Sequence, residues 1–248
     1  MTQKKLVLLG LAAFLLALIV VLPARWVAAF LPDTVQCTAW SGSIWRGHCR
    51  ELALSDGQKV VMRLNTLQWQ LKPAVLLKGR LGARFHSTWP QGETAGEVVV
   101  APSGAIQVRG MNGRSELDRR FFGALPQGWR GMIDIRDFDL DWHNGIIGRL
   151  GGELLVTDLV EARGTALGSY RLNFVSSDTP PFNGDLTDRG GPLEVNANLE
   201  MTADQNWSLE GRMRVRDAGN SSLNRALDVL SSPDASGWRR LSMAGRFR

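Results

Sequence analysis

One short stretch holds the residue types most capable of chemistry. Asp137, Asp139, Asp141 and His143 fall on alternate positions, and alternate residues of an extended chain point to the same side. Carboxylates beside an imidazole could ligate a metal ion. The intervening Phe138, Leu140 and Trp142 are apolar, however, and a strand with one buried face produces the same alternation with no ligand. The plainer reading is favoured, and no metal site is assigned. The chain has no Gly-rich phosphate loop ending in Lys-Ser/Thr, no Gly-x-Ser-x-Gly elbow and no paired-cysteine zinc spacing. Its nine tryptophans could stack on sugars. Trp40, Trp45, Trp69, Trp142 and Trp207 mostly lie within apolar alternations, which points to core packing instead. Arg212, Arg214 and Arg216 share one strand face, read as solvated or as a contact for a protein surface. No catalytic residue, cofactor, metal or small-molecule substrate is expected, and the chain is not read as an enzyme.

The elements that carry these residues follow from patterning. The chain has 248 residues, 44% of them hydrophobic and 21% charged. This composition is that of a folded protein, neither disordered nor a polytopic membrane protein. From Leu6 to Leu22 there is no charged side chain. As a helix of about 1.5 Å per residue, that run approaches the thickness of a bilayer core. Lys4 and Lys5 precede it, so the positive-inside rule keeps the amino terminus cytoplasmic. Trp26, Phe30 and Leu31 follow at the positions of an interfacial belt. A cleaved signal peptide would look similar, with small residues at Val27-Ala28-Ala29. The length of the run and the interruption at Arg25 and Trp26 favour a retained anchor. Residues 1–31 are therefore expected to be cytoplasmic start, transmembrane anchor and interfacial segment, and 32–248 an exported domain. All acidic residues lie beyond position 32, and only Lys4, Lys5 and Arg25 among the 29 basic residues precede it. The remainder is nearly neutral, so the net charge of +5 gives no reason to expect nucleic acid.

Export permits a disulfide. Cys37 and Cys49 flank Ser41-Gly42-Ser43, where a hairpin could bring them together. A closed loop of this size contributes about 3 kcal/mol when unstrained.

Beyond the anchor the hydrophobic period is two. Leu193, Val195, Ala197, Leu199 and Met201 alternate with polar residues, as do Trp207, Leu209, Gly211, Met213 and Val215. The two runs read as a hairpin. Opposing Glu194 to Arg214 and Asn198 to Glu210 avoids the like-charge pair Glu200–Glu210, so that register is expected, turning about Asp204. Weaker alternations lie at Leu67–Leu71, from Val98 through Pro102-Ser103-Gly104 to Val108, at Tyr170–Phe174 and at Leu241–Phe247. Apolar positions are odd at Ile133 and Ile135 but even from Phe138, which predicts a β-bulge near Arg136-Asp137. Three short helices are candidates. One follows Ser115, with Leu117, Phe121 and Leu125 on a face; one spans Pro73–Lys78; one carries Leu223, Ala226, Leu227 and Leu230 behind Ser221 and Ser222 as caps. Ser176–Gly191 reads as a loop or ragged hairpin. The fold class is mainly β: a single N-terminal transmembrane helix followed by a twisted antiparallel β-sheet domain with two or three short helices.

Several short motifs occur in order behind the apolar run. They are Leu22-Pro23-Ala24-Arg25-Trp26, Gly42-Ser43-Ile44-Trp45-Arg46-Gly47, Leu67-Gln68-Trp69-Gln70-Leu71-Lys72-Pro73 and Leu76-Leu77-Lys78-Gly79-Arg80-Leu81. Gly128-Trp129-Arg130-Gly131, Leu167-Gly168-Ser169-Tyr170 and Met243-Ala244-Gly245-Arg246-Phe247 follow. Over nearly the whole chain this order resembles the type II secretion system protein N family. The resemblance implies a bitopic protein of the bacterial inner membrane with a periplasmic domain. It implies a non-enzymatic accessory component of the type II protein secretion machinery, with other secretion-system proteins as partners and no catalytic residue to carry over. The cysteine pair is not part of the resemblance. Scaffolding by sheet edges or an apolar groove is the expected mechanism. The alternative is a periplasmic lipid-shielding or lipid-bridging sheet, whose signature would be an apolar face left unfilled.

Overall fold

In the computed structural model, described for residues 21–30, 34–55, 60–117, 127–228 and 231–246 and for positions 14, 17 and 18, nearly all regular structure is β. Most of the anchor expected over Leu6–Leu22 lies outside these residues. Phe14, Ala17, Leu18 and Val21 within it are helical and exposed. Among the described residues no helix is long and apolar enough to cross a membrane. Strand order follows chain order, and the chain divides into two compact units, Met1–Pro90 and Gln91–Arg248.

In the first unit a 3-10 helix, Ala24–Phe30, is followed by β1 (Val35–Gly42), β2 (Arg46–Ser55), β3 (Val60–Leu71) and β4 (Leu81–Trp89). A single turn of helix, α1 (Pro73–Leu76), connects β3 to β4. The strands form an antiparallel meander. Strict alternation would put Cys37 and Cys49 on opposite faces, because Cys37 opposes Leu52 and Trp40 opposes Cys49. Both strands break step together. The apolar face skips from Cys37 to Trp40 on β1 and from Leu52 to Cys49 on β2, and Glu51 takes φ 53° at the break. Cys49, Leu52 and Leu64 thus form a small core with Cys37, Trp40, Leu67 and Trp69 around it.

The second unit continues with β5 (Gly92–Val100), β6 (Ile106–Glu116), β7 (Arg130–His143), β8 (Ile146–Val160), β9 (Ala166–Ser177), β10 (Phe182–Asp188), β11 (Leu193–Met201), β12 (Asn206–Val215) and β13 (Arg239–Arg246). Helix α2 (Ser221–Asp228) lies between β12 and β13. The bulge foreseen in β7 is present: Asp137 has φ 46° and the β7–β8 register shifts between Arg136 and Asp139. Asn112 on β6 clasps it, accepting a hydrogen bond from Asp137 N at 3.1 Å. The β11–β12 hairpin has the charge-selected register, with Glu194 opposite Arg214 and Met201 opposite Trp207. Glu194 Oε2 accepts from Arg214 Nε at 2.7 Å.

Two clusters cover the apolar side of this unit. Leu223 and Leu227 of α2 close over Leu193, Val195, Ala197 and Met213. Ile147, Leu150, Phe174, Phe182 and Met201 form the other. Its rim is tied where the β7–β8 tip meets the β11–β12 tip: Ile147 N donates to Ala203 O, and Gln205 Nε2 to Gly145 O, both at 2.8 Å.

Three expectations need correction and one open alternative is decided. Ser115 caps no helix; it is a buried residue of β6, opposite Gly92 and Ile133, and Phe121 and Leu125 lie outside the described residues. Of the two readings of Ser176–Gly191, loop or ragged hairpin, the hairpin is found: the end of β9 lies in it and pairs antiparallel with the strand that follows. That strand is β10, whose Phe182, Gly184 and Leu186 alternate with Asn183, Asp185 and Thr187, a signal masked by the surrounding Asp, Thr, Pro and Gly. The cap of α2 is Asn220, whose Oδ1 accepts from Leu223 N at 3.1 Å, one residue ahead of the serines. Trp142 is 36% exposed rather than core, because it stands at the end of β7 beside the turn.

Candidate functional site

The motifs scattered along the first part of the chain converge on one corner of the first unit, at the end where the β1–β2 turn and the β3–β4 connection meet. Gly42 adopts φ 82° at the turn, a conformation that favours glycine. Gly47, opposite Trp69, leaves the space that the Trp69 indole fills; a Cβ there would collide with the ring. The indole Nε1 donates to Ile44 O at 2.9 Å, and the ring meets Trp40 edge-on, with centroids 5.8 Å apart. Ile44 N donates to Leu22 O at 2.9 Å, and Leu71 N to Trp45 O at 2.8 Å. Pro23 and Ser43 form an antiparallel bridge. The backbone at the end of the apolar run is therefore fastened to the first hairpin, and that hairpin to β3. The Gly-x-x-Trp-x-Gly and Trp-x-Leu-x-Pro motifs are the two halves of this clasp.

Cys37 and Cys49 are joined by a disulfide beneath it, with their Cα atoms 6.0 Å apart. That separation lies within the ordinary range for the bond. Cys49 is completely buried.

The acidic row on β7 does not converge on a common centre. Asp141 pairs with Arg109 and accepts from Gln107 Nε2 at 3.3 Å. Asp139 accepts from Gly110 N at 2.8 Å and faces Arg149 at 3.9 Å. Asp137 is turned aside at the bulge, and His143 Nε2 contacts only the neighbouring Asn144 amide among its described hydrogen bonds, at 3.2 Å. The Asp141 carboxylate, hydrogen-bonded to Arg109, holds the guanidinium proton more tightly than in water. Among the described residues, no group of three or more His, Cys, Asp or Glu could hold a metal ion. The arrangement joins β6, β7 and β8 by ion pairs.

The basic row on β12 is likewise occupied. Arg214 pairs with Glu194, and Arg216 pairs with Asp188 and donates to Gly191 O at 3.0 Å. Arg212 and Arg214 both lie 4.5 Å from the Trp238 ring centroid, a cation–π arrangement. Trp238 is held there by its loop, since Asp234 Oδ1 accepts from Ser236 N and Trp238 N at 2.8 and 2.9 Å. Hydrogen bonding from Ser236, opposed in part by desolvation, keeps the Asp234 carboxyl below its ordinary range. Buried Arg239 then links β13 to α2 through Asp228 at 2.7 Å. The alternation of β12 does not by itself pair Trp238 with these arginines. The Asp-x-Ser-Gly-Trp turn was the available signal.

The sequence model of type II secretion system protein N matches residues 33–242. No curated protein and no solved structure matches the chain.

Proposed function

The chain belongs to the type II secretion system protein N family, and from that membership we propose a membrane-anchored scaffold of the type II secretion machinery. In this reading Leu6–Leu22 crosses the bacterial inner membrane with the amino terminus cytoplasmic, and residues 32–248 stand in the periplasm. The observation that carries it is the clasp of Leu22 and Pro23 onto Ile44 and Ser43. A domain tied by hydrogen bonds to the end of its anchor is held in a set orientation at the membrane surface, as a scaffold requires. The contact offered to other secretion proteins is the outer edge of β13, the last strand in the order. Met243 is 54% exposed there, and an open edge can take up an extended segment by main-chain pairing. Pairing of β13 with a second copy about Met243 would set Arg240 against Arg246, a like-charge repulsion that disfavours self-association. The paired acids and arginines of β7 and β12 serve the sheet, and no catalytic role is proposed for them. The lipid-shielding alternative calls for an unfilled apolar trough. Around β8–β12 that space is taken by the chain's own Phe174, Phe182, Ile147 and Met201.

Two measurements test the reading. A carboxyl-terminal reporter active only in the periplasm should be active, and the mature chain should keep Met1 or Thr2. A mature terminus near residue 30, or an inactive reporter, would overturn the anchor. A photo-crosslinker replacing Met243 in intact cells should capture other type II secretion proteins. Capture of none of them, with secretion intact, would overturn the β13 contact.

A further inference from the structure

We propose that the connection between β3 and β4, Lys72–Leu81, is a second membrane contact, seated among anionic lipid headgroups with Leu77 as its apolar wedge. The inference rests on the anchored reading above and adds a lipid-binding surface to it.

Position is the first argument. In an antiparallel meander the β1–β2 turn and the β3–β4 connection emerge at the same end. The hydrogen bonds from Ile44 N to Leu22 O and from Leu71 N to Trp45 O link the end of the apolar run, through Ile44-Trp45, to Leu71, the residue before Lys72. A bilayer containing Leu6–Leu22 therefore meets this end of the unit first.

Exposure is the second. Leu77 is 91% exposed, Leu81 49% and, at the start of the same corner, Trp26 54%. Single exposed leucines are ordinary on a protein surface, but this one is displayed by an ordered structure. Helix α1 buries none of its residues. The connection is nonetheless closed by hydrogen bonds from Leu77 N to Pro73 O, Gly79 N to Leu76 O and Arg80 N to Val75 O, at 3.3, 2.9 and 3.3 Å. Val75 packs over Gly82, where a Cβ would come within 3.0 Å of it. The inward side of the connection is thus anchored on β4 while Leu77 points away from the protein. Indole and leucine side chains beside cations are the composition of a segment lying in a membrane interface.

Charge is the third. Arg25, Lys78 and Arg80 are exposed. The chain has no acidic residue from Met1 to Pro32, nor between Asp56 and Glu93. Basic residues close to an anionic bilayer each strengthen association roughly fivefold. An anionic lipid surface is the occupant that satisfies both the apolar wedge and its basic flank.

The test uses the full-length protein reconstituted into vesicles of phosphatidylethanolamine and phosphatidylglycerol, 3:1. An environment-sensitive fluorophore is attached at Leu77→Cys, at Leu18→Cys in the anchor, or at Ser103→Cys in the exposed β5–β6 turn. Quenching by nitroxide-labelled lipid is then measured. The label at 77 should be quenched at least threefold more than that at 103 and less deeply than that at 18. Adding Lys78→Glu and Arg80→Glu should reduce quenching at 77 at least twofold while leaving 18 unchanged. Quenching at 18 with none at 77 overturns the second contact and leaves the anchor standing. Quenching at 77 without any at 18 supports the contact and overturns the anchor. A blue-shifted label at 77 that nitroxide lipid does not quench reports a protein contact, a second copy, and overturns the proposal. Because Leu77 is so exposed, its replacement should leave the fold intact, which an unchanged far-ultraviolet circular dichroism spectrum and melting temperature verify.

Discussion

The first hairpin, β1–β2, and the eleventh-to-twelfth, β11–β12, meet the same difficulty in opposite ways. Each presents one apolar face of a sheet, and an uncovered face loses most of the stabilisation from burial, about 25 cal/mol per Å². At β11–β12 the cover is a helix: Leu223 and Leu227 close over Leu193, Val195 and Met213. At β1–β2 the described core cluster draws its residues from strands alone. The strands instead break alternation in concert, join Cys37 to Cys49 and lay Trp69 across Gly47 against Trp40. One hairpin is covered by a packed element, the other by a covalent bond and large rings on its own strands. The difference fits the jobs proposed for them. The first is clasped to the anchor and gains from cross-linking, whereas β12 supports an edge strand and needs a firm backing.

Removing the helical cover should have the largest effect. Leu223→Ala leaves a cavity under α2 and should cost about 2–5 kcal/mol. Hydrogen exchange followed by mass spectrometry should place the lost protection in β11–β13 and leave β1–β4 unchanged. Loss spread equally over both hairpins would end the contrast. Breaking the disulfide should do the converse. Cys37→Ser with Cys49→Ser should cost about 3 kcal/mol, with exchange rising in β1 and β2. Before reduction, thiol counting on the denatured wild-type chain should find no free cysteine.

The ring contact is expected to matter less. Gly47→Val forces Trp69 off its site and should cost about 1–3 kcal/mol by overpacking. A red shift in tryptophan emission would report it. A smaller effect tests the β11–β12 register. Arg214→Glu should destabilise by about 0.2–1 kcal/mol, and adding Glu194→Arg should recover the loss. A double variant no better than the single would contradict the pairing. The mildest perturbation is acid. The Asp234 carboxyl is held below its ordinary range, so its contribution is present above the unfolded value and is lost only as pH falls through the lowered folded value. The Trp238 indole resonance should therefore stay unchanged until below the pH at which a free aspartate protonates.

The alternation from Leu193 to Val215 determined a hairpin and, with its charges, the register, because a one-residue slip would turn every apolar side chain to water. The shift from odd to even apolar positions between Ile135 and Phe138 located a bulge for the same reason. These are local rules acting on neighbouring strands. The β10 strand was harder to read because its alternation is short and lies among turn-forming residues; its place depends on β9 and β11, which pair on either side. The double break in step at Glu51, the seating of Trp69 over Gly47 and the stacking of Arg212 and Arg214 on Trp238 were likewise not legible. Each depends on a partner distant in sequence, brought near only when the strands align. Residue types along the chain fixed which faces are apolar and which segments turn. Tertiary structure alone decided what covers each face, because cover is a property of surfaces that meet and no local pattern records the meeting.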